Sequence, residues 1–408
     1  MTTTGTSFVA PPSTPEVPDR LPVLALAVLA AMGFVLLAAE TMPAGLLPEI
    51  ATGLDTSEAM VGQFISVWAL GTVIVTIPAI TLTRGFRRKP LLLVAVAGLL
   101  VMNTVTAFSE VVAISLVSRF LGGAFTGIIW GMLAAYGRRI SAPRHAGRSL
   151  AIVSMGAPLG FAFGTPLGAW LGSTYDWAWA FGGLTLIGAL VLVLIVAVVP
   201  DAPGQSSTAR LPVRRILELP GVLIVLAVIT AWMLGHNTIF TYVAPYLRAG
   251  GSGLTPDLTL LVYGVASLVG IVLVAVFIDR FPRTLLGVSM VLFIAAAVVL
   301  LVGSSSATTV LLGSALWGLT FGGAAAQLQS ALTTAGGENS DVANSFLPVA
   351  FNLAIVIAGA AGALVIGIDD AVVLPVIMAA GGSAALGLAF IGRRTAFQGR
   401  SASAAAPA

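Results

Sequence analysis

Three side chains, Glu40, Arg119 and His236, carry the chemistry this sequence can do, because each sits inside a long apolar run. Glu40 lies in LPVLALAVLAAMGFVLLAAETMPAGLLPEI, residues 21–50. Hydrocarbon offers a carboxylate neither water nor counter-ion, so an acid at that depth is paired, faces a wet cavity or takes up a proton as part of a mechanism. Burial favours the neutral carboxyl and a nearby guanidinium favours the carboxylate, so Glu40 with Arg119 forms a balanced proton site. The expectation is that Glu40 carries a proton, Arg119 is its counter-charge, and His236 is a second titrating or substrate-contacting group. The structural alternative is a fixed Glu40–Arg119 pair and a histidine that hydrogen-bonds a carbonyl.

The elements that must position them are membrane helices. The chain of 408 residues is 58% hydrophobic and 9% charged, with mean hydropathy +1.04, whereas soluble domains are about 25% charged. A span needs roughly 20 apolar residues, and marking such runs gives twelve helices. They are α1 21–47, α2 59–83, α3 90–108, α4 111–136, α5 147–172, α6 177–199, α7 220–247, α8 256–278, α9 284–302, α10 309–333, α11 342–367 and α12 371–391. The expected organisation is a disordered cytoplasmic tail (1–20), an N-terminal six-helix bundle (21–199), a polar linker (200–219), a C-terminal six-helix bundle (220–391) and a second cytoplasmic tail (392–408). The fold class is all-α integral membrane.

Charge placement gives the orientation. Seventeen of the nineteen Lys and Arg residues fall in the tails and the even-to-odd loops, and of the other two Arg248 lies on the opposite side and Arg119 inside α4. Positive residues stay inside, so both termini are expected in the cytoplasm. The basic balance therefore reports topology and does not point to nucleic acid. There is no cysteine, which excludes disulfides, thiolate metal sites and cysteine nucleophiles. No metal-ligand cluster, paired carboxylates or serine–histidine–acid set occurs in the spans, so the chain is not read as an enzyme.

The halves repeat with an offset of 196 residues. Ser118, Gly122, Phe125 and Gly127 fall on Ser314, Gly318, Phe321 and Gly323; Arg84 and Arg87 fall on Arg280 and Arg283. The same offset lays Glu40 on His236 and Thr41 on Asn237. At helical rise Glu40, Arg119 and His236 lie roughly 15, 12 and 16 Å from the same membrane face, so they can share one network.

On these residues the chain resembles the major facilitator superfamily, in particular its twelve-helix drug:proton antiporter branch. ETMPAGLLPEI resembles the first-helix signature of bacterial sugar-efflux, nucleoside-efflux and chloramphenicol-type exporters. GVASLVGIVLVAVFIDRFPR resembles the family's motif after the second helix, here fullest in the second half with Asp279, Arg280 and Arg283; in the first half Thr83 replaces the acid, while Arg84, Arg87, Arg88 and Lys89 remain. SRFLGGAFTG matches the buried-arginine motif at Arg119 and Gly123. SMGAPLGFAFGTPLGAWLG resembles the antiporter glycine and proline motif, with Thr165 inserted between Gly164 and Pro166. Gly156, Gly160, Gly164 and Gly168 share one helix face for close packing, and Pro158 and Pro166 each remove a backbone donor; a rocking helix and a static seam both fit. With Pro43, which marks a bend or end of α1, these residues and the basic hairpin residues are the expected gating elements.

The resemblance implies helices α1, α4, α7 and α10 around a central cavity, alternating access between two pseudo-symmetric bundles, and a place in the bacterial inner membrane. Candidate substrate contacts are Trp68, Trp130, Asn237, Phe240, Tyr242, Trp317, Phe321, Gln327 and Asn352. The expected function is proton-coupled export of small organic molecules such as drugs, sugars or nucleosides. The alternatives are proton-linked uptake or facilitation by the same fold and, from another class, a non-transporting membrane receptor. The expected partners are substrate, protons and lipid, with the proton gradient as energy source, no cofactor, and a monomeric chain.

Overall fold

The computed structural model describes residues 21–83, 85–203, 218–219, 221–368 and 370–397. The tail 1–20, Arg84, most of the 200–219 linker and most of the 392–408 tail lie outside the described residues. Among the described residues every regular element is helical, and twelve helices are long and apolar enough to cross a membrane. They are α1 Val23–Gly45, α2 Glu58–Thr76, α3 Arg88–Phe108, α4 Val112–Arg139, α5 Pro143–Thr174, α6 Trp177–Val198, α7 Val222–Thr241, α8 Pro256–Phe277, α9 Pro282–Val302, α10 Ala307–Gly336, α11 Val342–Ile366 and α12 Ala371–Ile391.

Starts and stops follow local chemistry. Ser57 accepts from the Met60 N–H at 3.2 Å to cap α2, and Asp176 accepts from the Ala178 N–H at 2.8 Å to cap α6, satisfying donors that a helix N-terminus leaves unpaired. Several expected helices are interrupted. α1 ends at Gly45 and a short helix, Leu47–Gly53, follows; α7 is likewise followed by Val243–Gly250, which holds Pro245. α10 breaks between Phe321 and Ala324, at Gly322 and Gly323, where glycine costs helix stability.

The sequence repeat reappears as packing. α2 packs on α4 and α8 on α10, α3 on α6 and α9 on α12, α1 on α6 and α7 on α12. In the α2–α4 contact Gly123 faces the Trp68 carbonyl, and in α8–α10 Gly318 faces that of Tyr263. A methyl at either position would strike backbone, so the absence of a side chain sets the helix spacing. Across the two bundles, α2 packs on α11 and α5 on α8. Outward faces carry large apolar side chains such as Val94, Val101, Val117, Leu186 and Leu190, which suits a hydrocarbon surround.

Candidate functional site

Arg119 is fully buried in α4, and its bonds begin with a proline in another helix. Pro43 lacks an N–H, so in α1 the carbonyl four residues back, that of Ala39, loses its helical donor. Arg119 Nη1 donates to that carbonyl at 2.7 Å and Nη2 donates to the main-chain carbonyl of Glu40 at 3.0 Å. Nε donates to the Phe64 carbonyl of α2 at 3.4 Å. The guanidinium lies 4.1 Å from the centroid of the Trp68 ring, a cation–π distance. One arginine thus ties α1, α2 and α4 together.

This differs in one respect from the expected counter-ion arrangement. No ion pair within 4.0 Å joins the Glu40 carboxylate to Arg119. The guanidinium forks onto two main-chain carbonyls, that of Ala39, which Pro43 leaves without a helical donor, and that of Glu40. The carboxylate makes no hydrogen bond to a described residue, and Glu40 retains 7% exposure. It remains within electrostatic reach of Arg119.

His236, 2% exposed, sits in a box of rings. Phe321 stacks on it with centroids 3.6 Å apart and planes at 10°, and Phe240, Trp317, Tyr263 and Phe161 lie at 5.4 to 5.8 Å. Trp317 Nε1 donates to His236 Nδ1 at 3.0 Å. Phe161 comes from α5, so the box spans both bundles. Phe240, Trp317 and Phe321, three expected substrate contacts, are thereby brought together around the imidazole.

The glycines of α5 face α1. Gly156 meets Ala30, Gly160 Phe34, Gly164 Ala38 and Gly168 Met42, so two four-residue periods run in register. The seam therefore holds helices of one bundle together, while α5 turns Phe161 and Ala162 to the other bundle, Ala162 against Gly264 of α8. Between Pro158 and Pro166 the helix adopts a π turn, Gly160–Gly164. A π turn absorbs one extra residue, which accounts for Thr165 between Gly164 and Pro166. Thr165, fully buried, shares a 2.6 Å hydrogen bond with Thr41. Thr41, the chain neighbour of Glu40, itself donates to the Leu37 carbonyl at 2.7 Å, so Thr165 is the donor in that pair.

At the end of the bundle opposite the termini the halves are joined directly. Tyr242 donates to the Gly359 carbonyl of α11 at 2.8 Å, and its ring sits between Gly62 of α2 and Gly362 of α11. Gln63 Nε2 donates to the same Gly359 carbonyl at 3.2 Å, and Arg248 pairs with Glu58 at 2.6 Å. Tyr242, expected at the substrate, is engaged in closing this distal end.

A family model described as Major Facilitator Superfamily matches residues 29–359. The chain belongs to the major facilitator superfamily. It is 30% identical over 384 residues, 90% of its own length and 89% of the relative's, to a chloramphenicol efflux pump of Mycobacterium tuberculosis (strain CDC 1551 / Oshkosh). It is 25% identical over 352 residues, 85% of its length and 90% of the relative's, to a probable sugar efflux transporter of Helicobacter pylori (strain J99 / ATCC 700824). Its fold is similar to a solved D-xylose-proton symporter, with TM-score 0.70 and 13% identity, over 92% of this chain and 97% of that one. The chain is accordingly a multi-pass membrane transporter and not an enzyme.

The remaining expected residues of this major facilitator chain take more local positions. Trp68 is spent on Arg119 and on the glycines Gly122 and Gly123. Trp130 is half-buried against the core. Asn237 donates to the Met233 carbonyl of its own helix at 2.8 Å, and Asn352 to that of Pro348 at 2.9 Å. Gln327 donates to Ser289 of α9 at 3.2 Å, and with Arg283 it lines a crevice closed by Ala396 and Phe397. Asp279 and Arg280 sit in the turn before α9, Arg280 over the Phe281 ring at 5.4 Å.

In the first-half hairpin the carboxylate absent at Thr83 is matched by one from beyond α6. Asp201 pairs with Arg87 at 2.6 Å and accepts from the Lys89 N–H at 3.0 Å, capping α3. Burial would raise this carboxyl, but the Lys89 and Ala202 N–H groups and the Arg87 guanidinium outweigh it and hold it below the usual range. Sequence reasoning missed Asp201 because it lies over a hundred residues away; Phe161, Gln63 and Tyr263 were missed because apolar and amide residues in spans carry no signal of their partners.

Proposed function

We propose that this transporter is a proton-coupled exporter of small organic molecules, with Glu40 as the proton carrier. The observation that carries the reading is a buried carboxylate on a helix whose own backbone is clamped by a buried arginine. Uptake of a proton by Glu40 removes its attraction for Arg119 without breaking the carbonyl fork, so the site titrates while the helices stay joined. Alternating access then exchanges a proton entering from the distal side for substrate leaving by it. A proton moving inward releases about 2.3 kcal/mol per 100 mV and about 1.4 per pH unit, enough to hold a concentration ratio of a few hundred without ATP.

The efflux names of the two relatives support the outward direction, and chloramphenicol and a neutral sugar are the first substrates to try. The termini are cytoplasmic and the membrane is the bacterial inner membrane on this reading; the chain works as a monomer, and Arg119 and His236 set the carrier and the binding site. The test is accumulation of labelled chloramphenicol in everted vesicles with an acidic lumen. Wild type accumulates it; Glu40→Gln loses uphill accumulation and keeps substrate exchange. Gradient-driven accumulation by Glu40→Gln overturns the carrier assignment, and accumulation only in right-side-out vesicles with an acidic exterior overturns export.

A further inference from the structure

His236 was expected either to titrate or to contact substrate, and its hydrogen bond separates the two roles. An indole N–H only donates, so the Nδ1 that accepts from Trp317 at 3.0 Å holds a lone pair. The imidazole is then neutral with its proton on Nε2. Protonating Nδ1 would set two N–H groups against each other inside a box of rings. Nε2 donates to no described residue, yet it is not among the fully buried polar atoms. The Phe321 ring at 3.6 Å and the Phe240 ring at 5.4 Å fix the imidazole plane. Of the side chains in ring contact only Tyr263 titrates, and it is neutral at physiological pH; Glu40 and Arg119 belong to the other bundle.

We propose that His236 is a fixed neutral hydrogen-bond donor for substrate, oriented by Trp317, and does not carry the coupling proton. Its Nε2–H selects an uncharged molecule that presents a carbonyl, nitro or hydroxyl oxygen beside a flat apolar face, which the rings of Phe161 and Phe240 accept. Trp317 is a positioning residue: its N–H chooses the tautomer. This deepens the transport reading above and rests on it for its substrate half, while the tautomer stands on geometry alone.

Two measurements test it. The chain has two histidines, so His145→Gln leaves His236 as the one imidazole seen by ¹⁵N NMR of the histidine-labelled protein in lipid. The Nε2–H tautomer is expected from pH 8 to pH 5.5, with the Nε2 resonance moving on addition of chloramphenicol; an imidazolium or Nδ1–H signal at pH 7 overturns the proposal, and an unmoved Nε2 resonance overturns its substrate class. In transport, His236→Leu raises the chloramphenicol KM about tenfold, as for a lost hydrogen bond to a buried group, and leaves the final accumulation ratio unchanged. His236→Gln, whose amide can donate near the Nε2 position, restores KM to within about threefold. Trp317→Phe gives the imidazole freedom to titrate, so KM rises below about pH 6.5 where wild type shows no such limb. A collapsed accumulation ratio in both His236 variants would make His236 a carrier and refute the assignment. Failure of all gradient-driven transport in wild type would sink the transport reading and leave the NMR result standing.

Discussion

Replacing Arg119 by lysine keeps the charge and removes the fork. The arginine makes charge-assisted bonds of 2.7 and 3.0 Å to two carbonyls of α1 and lies 4.1 Å from the Trp68 ring centroid. Each such bond contributes about 1.5 to 3 kcal/mol and the ring contact about 0.5 to 2. A lysine ammonium is a point donor that reaches one carbonyl and stacks less well, so Arg119→Lys should cost about 2 to 4 kcal/mol. Glu40→Gln should behave differently, since no bond of the fork uses the carboxylate. It loses a Coulomb attraction but also the cost of burying a carboxylate, and the net change should stay within about 1 kcal/mol. Equilibrium unfolding in mixed detergent–SDS micelles measures both. Were the carboxylate the true partner of Arg119, removing it would strand a buried guanidinium and cost about 3 to 5 kcal/mol. Equal destabilisation by Glu40→Gln and Arg119→Lys would therefore refute the fork. Pro43→Ala adds a second reading, because it restores an N–H that competes for the Ala39 carbonyl and should make Arg119→Lys less damaging.

Further outcomes follow from other contacts. Thr165→Val loses the 2.6 Å bond to Thr41 and should destabilise by about 1 kcal/mol in the same unfolding assay, with little change in volume. A methyl at Gly362 would run into the Tyr242 ring; because the chain has no cysteine, a single Ser66→Cys reporter can follow it, and Gly362→Ala should raise maleimide labelling from the distal side about fivefold for about 1 kcal/mol of lost closure. Asp201 has a depressed folded-state pKa, so its contribution is complete above the ordinary carboxyl value of about 3.9 and fades as pH falls through the lower folded value. Thermal midpoints of wild type and Asp201→Asn should accordingly differ at pH 7 and draw together as pH falls below the ordinary carboxyl value and through the lower folded one; a gap unchanged across that acid range would show that the carboxylate is not responsible.

Hydropathy and charge placement made the twelve spans legible, because a bilayer dictates helix length and an apolar exterior whatever the fold inside. The 196-residue repeat survived into structure as matched helix pairs, with the equivalent glycines Gly122 and Gly318 both at tight helix contacts, Gly122 against the Trp68 ring and Gly318 against the Tyr263 carbonyl. Interruptions were less legible. The break at Gly322 and Gly323 and the π turn in α5 depend on what each helix packs against, and Thr165 showed only as an oddity of spacing.

The sequence by itself determined that Glu40, Arg119 and His236 lie inside apolar spans, because scarcity of charge in apolar runs is a one-dimensional signal. Only the tertiary structure decided which atoms they meet. Arg119 takes the carbonyl that Pro43 frees, His236 takes the Trp317 N–H, and Thr165 takes Thr41, and each partner lies 80 residues or more along the chain. Such pairings are set by how helices cross and rotate against one another, and no local pattern of residue types encodes a crossing angle.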